Sequence, residues 1–307
     1  MVTKRRARPL KYAWTGALIL VGVLTGGAPT VTGGQELSRY HQSKFAQGQN
    51  IAPAFEGWEE NPDGSFNMVF GYFNRNWEEQ PLVPIGPNNN VEPGGPDRGQ
   101  PTLFFPRRNK FVFRVPVPKD FGNNELVWTL AVNGKTEKAY ATLKPDYKLD
   151  KLILQTNAHM KVIAYGMEEN QPPLIELEGS VNRTVKVGEP LTLNALVRDD
   201  GILKPKPTPK TGPQNDQTAE GLRVAWYVYR GPADKVTFSP EQFRVWQDKR
   251  PGANSPFAAG WVPPPLPADA RYPVEVTFGA PGTFVVRLSA HDGGLETTKE
   301  VTVTVQP

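Results

Sequence analysis

The stretch VEVTFGAPGTFVVRLSAHDGGLETTKEVTVTV, residues 274–305, sets the fold class. Val274, Val276 and Phe278 alternate with polar residues, and Ala280-Pro281-Gly282 then turns the chain. Phe284, Val286, Leu288 and Ala290 resume the alternation. His291-Asp292-Gly293-Gly294 turns it again, and Val301, Val303 and Val305 follow. A period of two between turn residues is the signature of strands with one buried face. Working back, Val224, Trp226 and Val228 form another such face, and Val236 to Phe238 a short strand. Val185 and Val187, then Leu191, Leu193, Ala195 and Val197, alternate around the turn Gly188-Glu189-Pro190, and Asp199-Asp200-Gly201 ends that strand. Seven or so short strands around a central tryptophan predict an immunoglobulin-like sandwich over 174–307.

The preceding residues read in the same way. Phe66, Met68, Phe70 and Tyr72 share a face after the turn Pro62-Asp63-Gly64. Phe111, Phe113, Val115 and Val117 share another, with Arg114 opposed. Leu126, Trp128, Leu130 and Val132 lead into Asn133-Gly134, whose residues both accept positive φ, so Lys138–Leu143 returns as the hairpin partner. A segment from Gln80 to Arg108 carries seven prolines and reads as a long loop, with Leu103-Phe104-Phe105 as a short strand inside it. Leu152–Gln155 and Lys161–Tyr165 read as final strands. The expected fold class is all-β: two immunoglobulin-like antiparallel sandwiches, 51–165 and 174–307, joined by a linker at 166–173.

The N-terminus carries Lys4, Arg5, Arg6, Arg8 and Lys11, an apolar run from Ala13 to Leu24, then small and polar residues to Gly34. This is the order of a secretory signal peptide over 1–34, cut within 28–35, with an uncleaved membrane anchor as the alternative. Residues 35–50 form a polar spacer. The chain carries a net +4 charge, but residues 1–34 supply five positive charges and no negative one. The remainder is close to neutral, so nucleic-acid binding loses its only global support and no nucleic-acid partner is expected. With no cysteine, disulfides, thiolate metal sites and a cysteine nucleophile are excluded. The expected location is periplasmic, secreted or on the cell surface, with membrane contact only through the N-terminal segment.

From Asn170 onward the residues resemble the PKD-like (polycystic kidney disease-type) immunoglobulin-like family. The resemblance is carried, in order, by Asn170-Gln171-Pro172-Pro173, Val185 to Leu193, Asp199-Asp200-Gly201, Val224-Ala225-Trp226, Gly231-Pro232, Val236-Thr237-Phe238, Pro281 to Phe284 and Ala290 to Gly294. It spans about 172–307, with Phe284 standing where the family often has tyrosine. It implies a seven-stranded sandwich used outside cells for adhesion, spacing or ligand presentation, without enzyme activity. Residues 51–165 carry no such resemblance.

Candidate chemistry is sparse. His41, His159 and His291 are scattered, and neither H-E-x-x-H nor G-x-S-x-G occurs. Trp58-Glu59-Glu60 is echoed by Trp77-Glu78-Glu79. Those carboxylates are candidates for acid and base in a polysaccharide-active enzyme, against the plainer reading of solvated strand ends. Trp58 and Trp77, with Asn74 and Asn76, form a candidate sugar-stacking surface. Asp199, Asp200 and Asp292 could supply calcium with carboxylate oxygens, or could simply be turn residues. No other cofactor is expected. The basic runs Arg107-Arg108-Asn109-Lys110 and Lys204, Lys206, Lys210 read as solvated loops. The expectation is a non-enzymatic adhesion or binding protein contacting a glycan or envelope protein. The alternatives are a polysaccharide-active enzyme or accessory with its site in 51–165, and a structural subunit of an envelope assembly.

Overall fold

The computed structural model describes residues 45–156, 168–204, 221–242 and 266–307. The signal segment, Lys161–Tyr165, His41, His159, Lys206 and Lys210 lie outside them. Among the described residues no helix is long and apolar enough to cross a membrane.

The first sandwich has six strands in two sheets. β1 (Ile51–Glu60), β2 (Phe66–Asn74) and β4 (Arg107–Val117) form one, in that order; β3 (Asn89–Glu92), β5 (Leu126–Val132) and β6 (Lys135–Ala141) form the other. Every pairing is antiparallel. This is the A-B-E and C-F-G pairing of an immunoglobulin sandwich, with the loop between β3 and β4 standing where strand D would run. The β5–β6 hairpin turns on Asn133 and Gly134 at φ 51° and 76°. The core centres on Trp128, set edge-on to Phe113 at 4.8 Å, while Phe113 stacks on Phe70 at 5.2 Å. The Trp128 indole N–H donates to Asn89 Oδ1 at 3.0 Å.

Phe113, Val115 and Val117 point inward as the alternation predicts, but Phe111 does not share their burial. The β2–β4 register shifts between Phe70 and Tyr72, and Phe111 takes φ 52°. A bulge there reverses the alternation on its far side. Lys151–Thr156 is a short helix, α1, rather than a strand. Leu103 forms only an isolated bridge to Leu82.

The second sandwich follows the constant-type pairing with an added edge. β7 (Leu174–Leu177) pairs β10 (Ala195–Arg198), and β9 (Pro190–Leu193) pairs β13 (Val274–Phe278), which pairs β12 (Val236–Ser239). β9 and β10 are one strand interrupted at Asn194, so this layer reads A-B-E-D. The facing sheet orders β11 (Arg223–Arg230), β14 (Gly282–His291), β15 (Glu296–Gln306) and β8 (Asn182–Lys186), the last running parallel to β15. The inward residues are those of the alternation, with Trp226, Phe278 and Phe284 fully buried. Val187 falls beyond β8 and is exposed.

Trp128→Ala should lower unfolding stability by about 3–5 kcal/mol, as expected for a large buried aromatic. It also leaves the buried Asn89 carbonyl without its donor. Urea denaturation of purified protein reads the loss.

Candidate functional site

The Trp-Glu echoes come apart in space. Trp58 and Glu59 lie near the β1 end that faces Phe66, and Trp77 follows the opposite end of β2. Glu59 pairs with Asn67, seven residues from Asn74 along β2, which is roughly 23 Å at strand rise. Paired glycosidase carboxyls stand about 5–10 Å apart. Glu59 is taken up in a bidentate pair with Arg114, Glu60 binds Lys148, and Glu79 accepts from the backbone N–H of Gly48.

The two tryptophans are corrected from surface platforms to buried side chains, each only 8% exposed. Trp58 donates its indole N–H to the Lys144 carbonyl and packs edge-on against Phe66. Trp77 lies 4.1 Å beneath the Arg107 guanidinium. Asn74 and Asn76 are also buried. Asn74 Nδ2 donates to the carbonyls of Glu79 and Phe104, and Asn76 Nδ2 donates to Gln49 O and Asn74 Oδ1. These amides fasten residues 45–50 and the proline-rich loop to the β-hairpin. Acidic neighbours suggested exposure, but along an extended chain a residue and the next one face opposite ways, so Glu59 and Glu78 say nothing of where the preceding rings point.

The proline-rich segment is an ordered dock for the second sandwich. Asn89 Nδ2 holds the carbonyls of Val83 and Pro101, and Gln100 Nε2 holds those of Asn89 and Pro96. So shaped, the segment lies along the edge of β11. The N–H groups of Thr102 and Leu103 reach the Tyr229 carbonyl at 3.4 Å, the Tyr229 hydroxyl donates to Gly99 O at 2.7 Å, and Arg230 donates to Gln100 O and both carboxylate oxygens of Asp97. Behind this edge, Tyr227, Arg287 and Glu300 stand opposite one another on β11, β14 and β15. The Arg287 guanidinium is nearly buried. It sits 3.3 Å over the Tyr229 ring, binds Glu300, and donates to the Val112 carbonyl of the first sandwich at 2.7 Å. Burial opposes its charge, and the Glu300 carboxylate beside it holds the proton on. Burial pushes the Tyr229 phenol up to about 12, so it stays a neutral donor. Phe105 meets Tyr227 edge-on at 5.5 Å. This seam was not legible in the sequence, where Tyr227, Tyr229 and Arg287 occupy positions that alternation assigns to solvent. Two tyrosines and an arginine on one outer face were the available signal.

At the linker end of the second sandwich the structure gathers the three calcium candidates. Asp292 is fully buried. Its Oδ1 accepts from the N–H groups of Gly294 and Leu295, and its Oδ2 accepts from Asn170 Nδ2 at 2.9 Å. Asp200 accepts from the N–H groups of Gln171 and Ile202, and Asp199 Oδ2 from Gly201. Asn170 also donates to Gln155 of α1 at 3.2 Å. Asn170, expected in an open linker, is thus a buried post. Burial, with the charges of Asp292 and Asp200, raises the Asp199 carboxyl above its ordinary range. The adjacent His291 is half-buried and its pKa is lowered to about 4, mainly by desolvation and further by Arg223, so it is a neutral imidazole. Among the described residues no three His, Cys, Asp or Glu side chains converge as metal ligands.

No family model matches the chain, and no curated protein matches it. Among solved structures, domains 4 and 5 of the S-layer protein SbsC align at TM-score 0.23 and 10% identity, over 60% of this chain and 66% of that one, just under two thirds. The titin domains Z1Z2 in complex with telethonin align at 0.24 and 10%, over 83% and 96%. Sidekick-1 immunoglobulin domains 1–4 align at 0.24 and 9%, over 83% and 48%. Likenesses this distant carry no argument about function; the immunoglobulin-like description rests on the strand pairing above.

Arg287→Ala strips Glu300 and the Val112 carbonyl of their shared donor. Glu300 is partly exposed and stays solvated, so the cost is that of the unsatisfied Val112 carbonyl, about 1–3 kcal/mol. Denaturation should show a lower midpoint, with the single transition resolving into two as the sandwiches uncouple. Asp199 gives a pH-dependent test. Its folded pKa is raised, so its penalty is absent below the unfolded carboxylate range and grows as pH rises through the folded value. The charged or titratable groups acting on it are Asp292, Asp200 and Tyr272. Asp199→Asn should therefore be more stable than wild type at pH 7, with the gain shrinking as pH falls toward the ordinary carboxylate range, as read by thermal melts across that interval.

Proposed function

We propose that this chain is an exported, non-enzymatic unit of the cell envelope, in which two joined immunoglobulin-like sandwiches present a rigid surface to a protein partner. The observation that carries the reading is the seam through Arg287 and the proline-rich segment. It commits part of an outer sheet face, around Tyr229 and Arg287, and a strand edge to internal joining. Rigidity of this kind suits a spacer or assembly subunit, whose partners need a fixed distance and direction.

Two further observations support the reading. Trp58 and Trp77 turn their rings inward, which favours a protein over a glycan as the partner. The glutamates of the two echoes are separated by a strand length and bound to Arg114, Lys148 and backbone, which opposes their use as a catalytic pair. The motif order from Asn170 to Gly294 supports placing the second sandwich in the PKD-like branch. The order of charges and apolar residues at 1–34 supports export.

The test is cross-linking in intact cells, followed by fractionation and identification of the cross-linked species. The expected result is envelope-fraction adducts with a defined protein. Recovery in the cytoplasm would sink the export reading. Glycan cleavage by purified protein, lost on Glu78→Gln, would replace the binding reading with the enzyme one.

A further inference from the structure

We propose that Arg75 and Arg107 hold a carboxylate of an acidic protein segment, at the end of the first sandwich where the chain enters β1. Such a site supplies the chemistry of the protein partner proposed above, and depends on that reading. The fold divides the basic run at 107–110. Arg108 is taken up by Glu56 at 2.7 Å. Arg107, paired with Asn74 of β2, turns instead to two rings. Its guanidinium lies 4.1 Å from the Trp77 ring centroid and 4.7 Å from that of Phe73. Its Nη1 donates to the Arg75 carbonyl at 3.1 Å, and the Arg75 N–H donates to the Asn50 carbonyl at 3.2 Å. The backbone that carries Arg75 is therefore fixed on both sides, while its side chain is exposed.

Among the described residues neither guanidinium forms an ion pair, whereas Arg108, Arg114 and Arg230 each hold a carboxylate. Two acids at this end are already occupied. Glu79 accepts from the Gly48 N–H at 2.6 Å, and Glu137 from Asn50 Nδ2 at 2.8 Å. Arg107 is half-buried, and its Nε is buried and donates to nothing. Burial lowers its pKa, with no acid acting the other way, yet a guanidinium stays charged at neutral pH. Its backbone carries a further cost, a φ of 67° in the left-handed region that residues with side chains rarely adopt. A partly desolvated, unpaired charge on such a backbone is unfavourable for the isolated protein, and strain of this kind gathers at binding sites. A carboxylate arriving from outside offsets the unpaired charge.

The surroundings select the ligand class. The two rings hold the Arg107 guanidinium in place, so little side-chain freedom remains to be lost when a ligand binds. Guanidinium donors suit a carboxylate or a phosphate. The apolar neighbour favours a peptide over a bare anion. Phe45, whose carbonyl accepts the Trp77 N–H at 2.9 Å, leaves its ring 52% exposed. An arginine seated on tryptophan, with an open aromatic ring next to it, has the composition of an interface anchor. In this same chain, Arg114 and Arg230 each take a carboxylate by two parallel hydrogen bonds.

The experiment uses the purified full chain at neutral pH and low salt. A capped tetraglutamate peptide is titrated by calorimetry, with capped tetralysine and inorganic phosphate as comparison probes. The glutamate peptide should bind, and more weakly as salt rises; tetralysine should not bind, and phosphate should bind less well. Arg75→Ala removes only an exposed side chain, so it should fold as wild type and bind about tenfold more weakly. Arg107→Lys keeps the charge without the planar fork, and should show a similar loss. Lys235→Ala, on the second sandwich beside Asp234, should bind as wild type. Three results would overturn the proposal: no response of wild type to the glutamate peptide up to about 10 mM, tenfold above a millimolar Kd; phosphate binding as tightly as the peptide; or wild-type binding in both arginine variants. The partner reading is tested separately. Protein adducts in intact cells that form at wild-type yield with Arg75→Ala overturn this site alone, and peptide binding without any protein adduct overturns the partner reading alone.

Discussion

The architecture depends on one charge kept away from water. Arg287 projects from the outer face of a sheet, where a side chain ordinarily meets solvent. Here the Tyr229 ring lies under it, Glu300 beside it and a carbonyl of the other sandwich beyond it. A guanidinium so placed is tolerable only when its donors are met. Part of its shell, the Val112 carbonyl, belongs to the first sandwich. The two halves therefore complete each other's polar accounts, and the described residues of both sandwiches fall within one compact unit.

The inner faces were open to reading because alternation states which residues share a side. Val224, Trp226 and Val228 were assigned inward on that ground and are buried. Alternation is silent about what covers the opposite side, so Tyr229 and Arg287 could not be recognised. The same silence explains Trp58 and Trp77, whose following glutamates suggested water while the rings are buried. Phe111 shows a different limit: a bulge is a backbone event, set by pairing with β2, and leaves no mark in residue order. The carboxylates of the linker end were legible as a set, since Asp-Gly turns fall at strand ends. The one Asp199 oxygen left without a donor was not, because hydrogen-bond satisfaction is a property of three dimensions.

The proline-rich segment reconciles two readings of the same residues. Proline and glycine announce a loop, and regular structure is indeed scarce there. Yet Asn89 and Gln100, both fully buried, hold four carbonyls of the segment. Side-chain amides replace the ladder that prolines cannot build. A loop so braced has a fixed shape, which is what docking along β11 requires.

That docking also concerns the chain's behaviour among its own copies. An exposed β11 would present a row of unpaired backbone groups, a template on which a second molecule could add a strand. The segment at Gly99–Leu103 occupies part of that row from within the same chain, and prolines on either side prevent it from becoming a new edge in turn. With no cysteine for a disulfide to hold its domains closed, the chain thereby carries its own guard against fibrous self-association. Cutting the chain between the sandwiches would remove that guard together with the first domain.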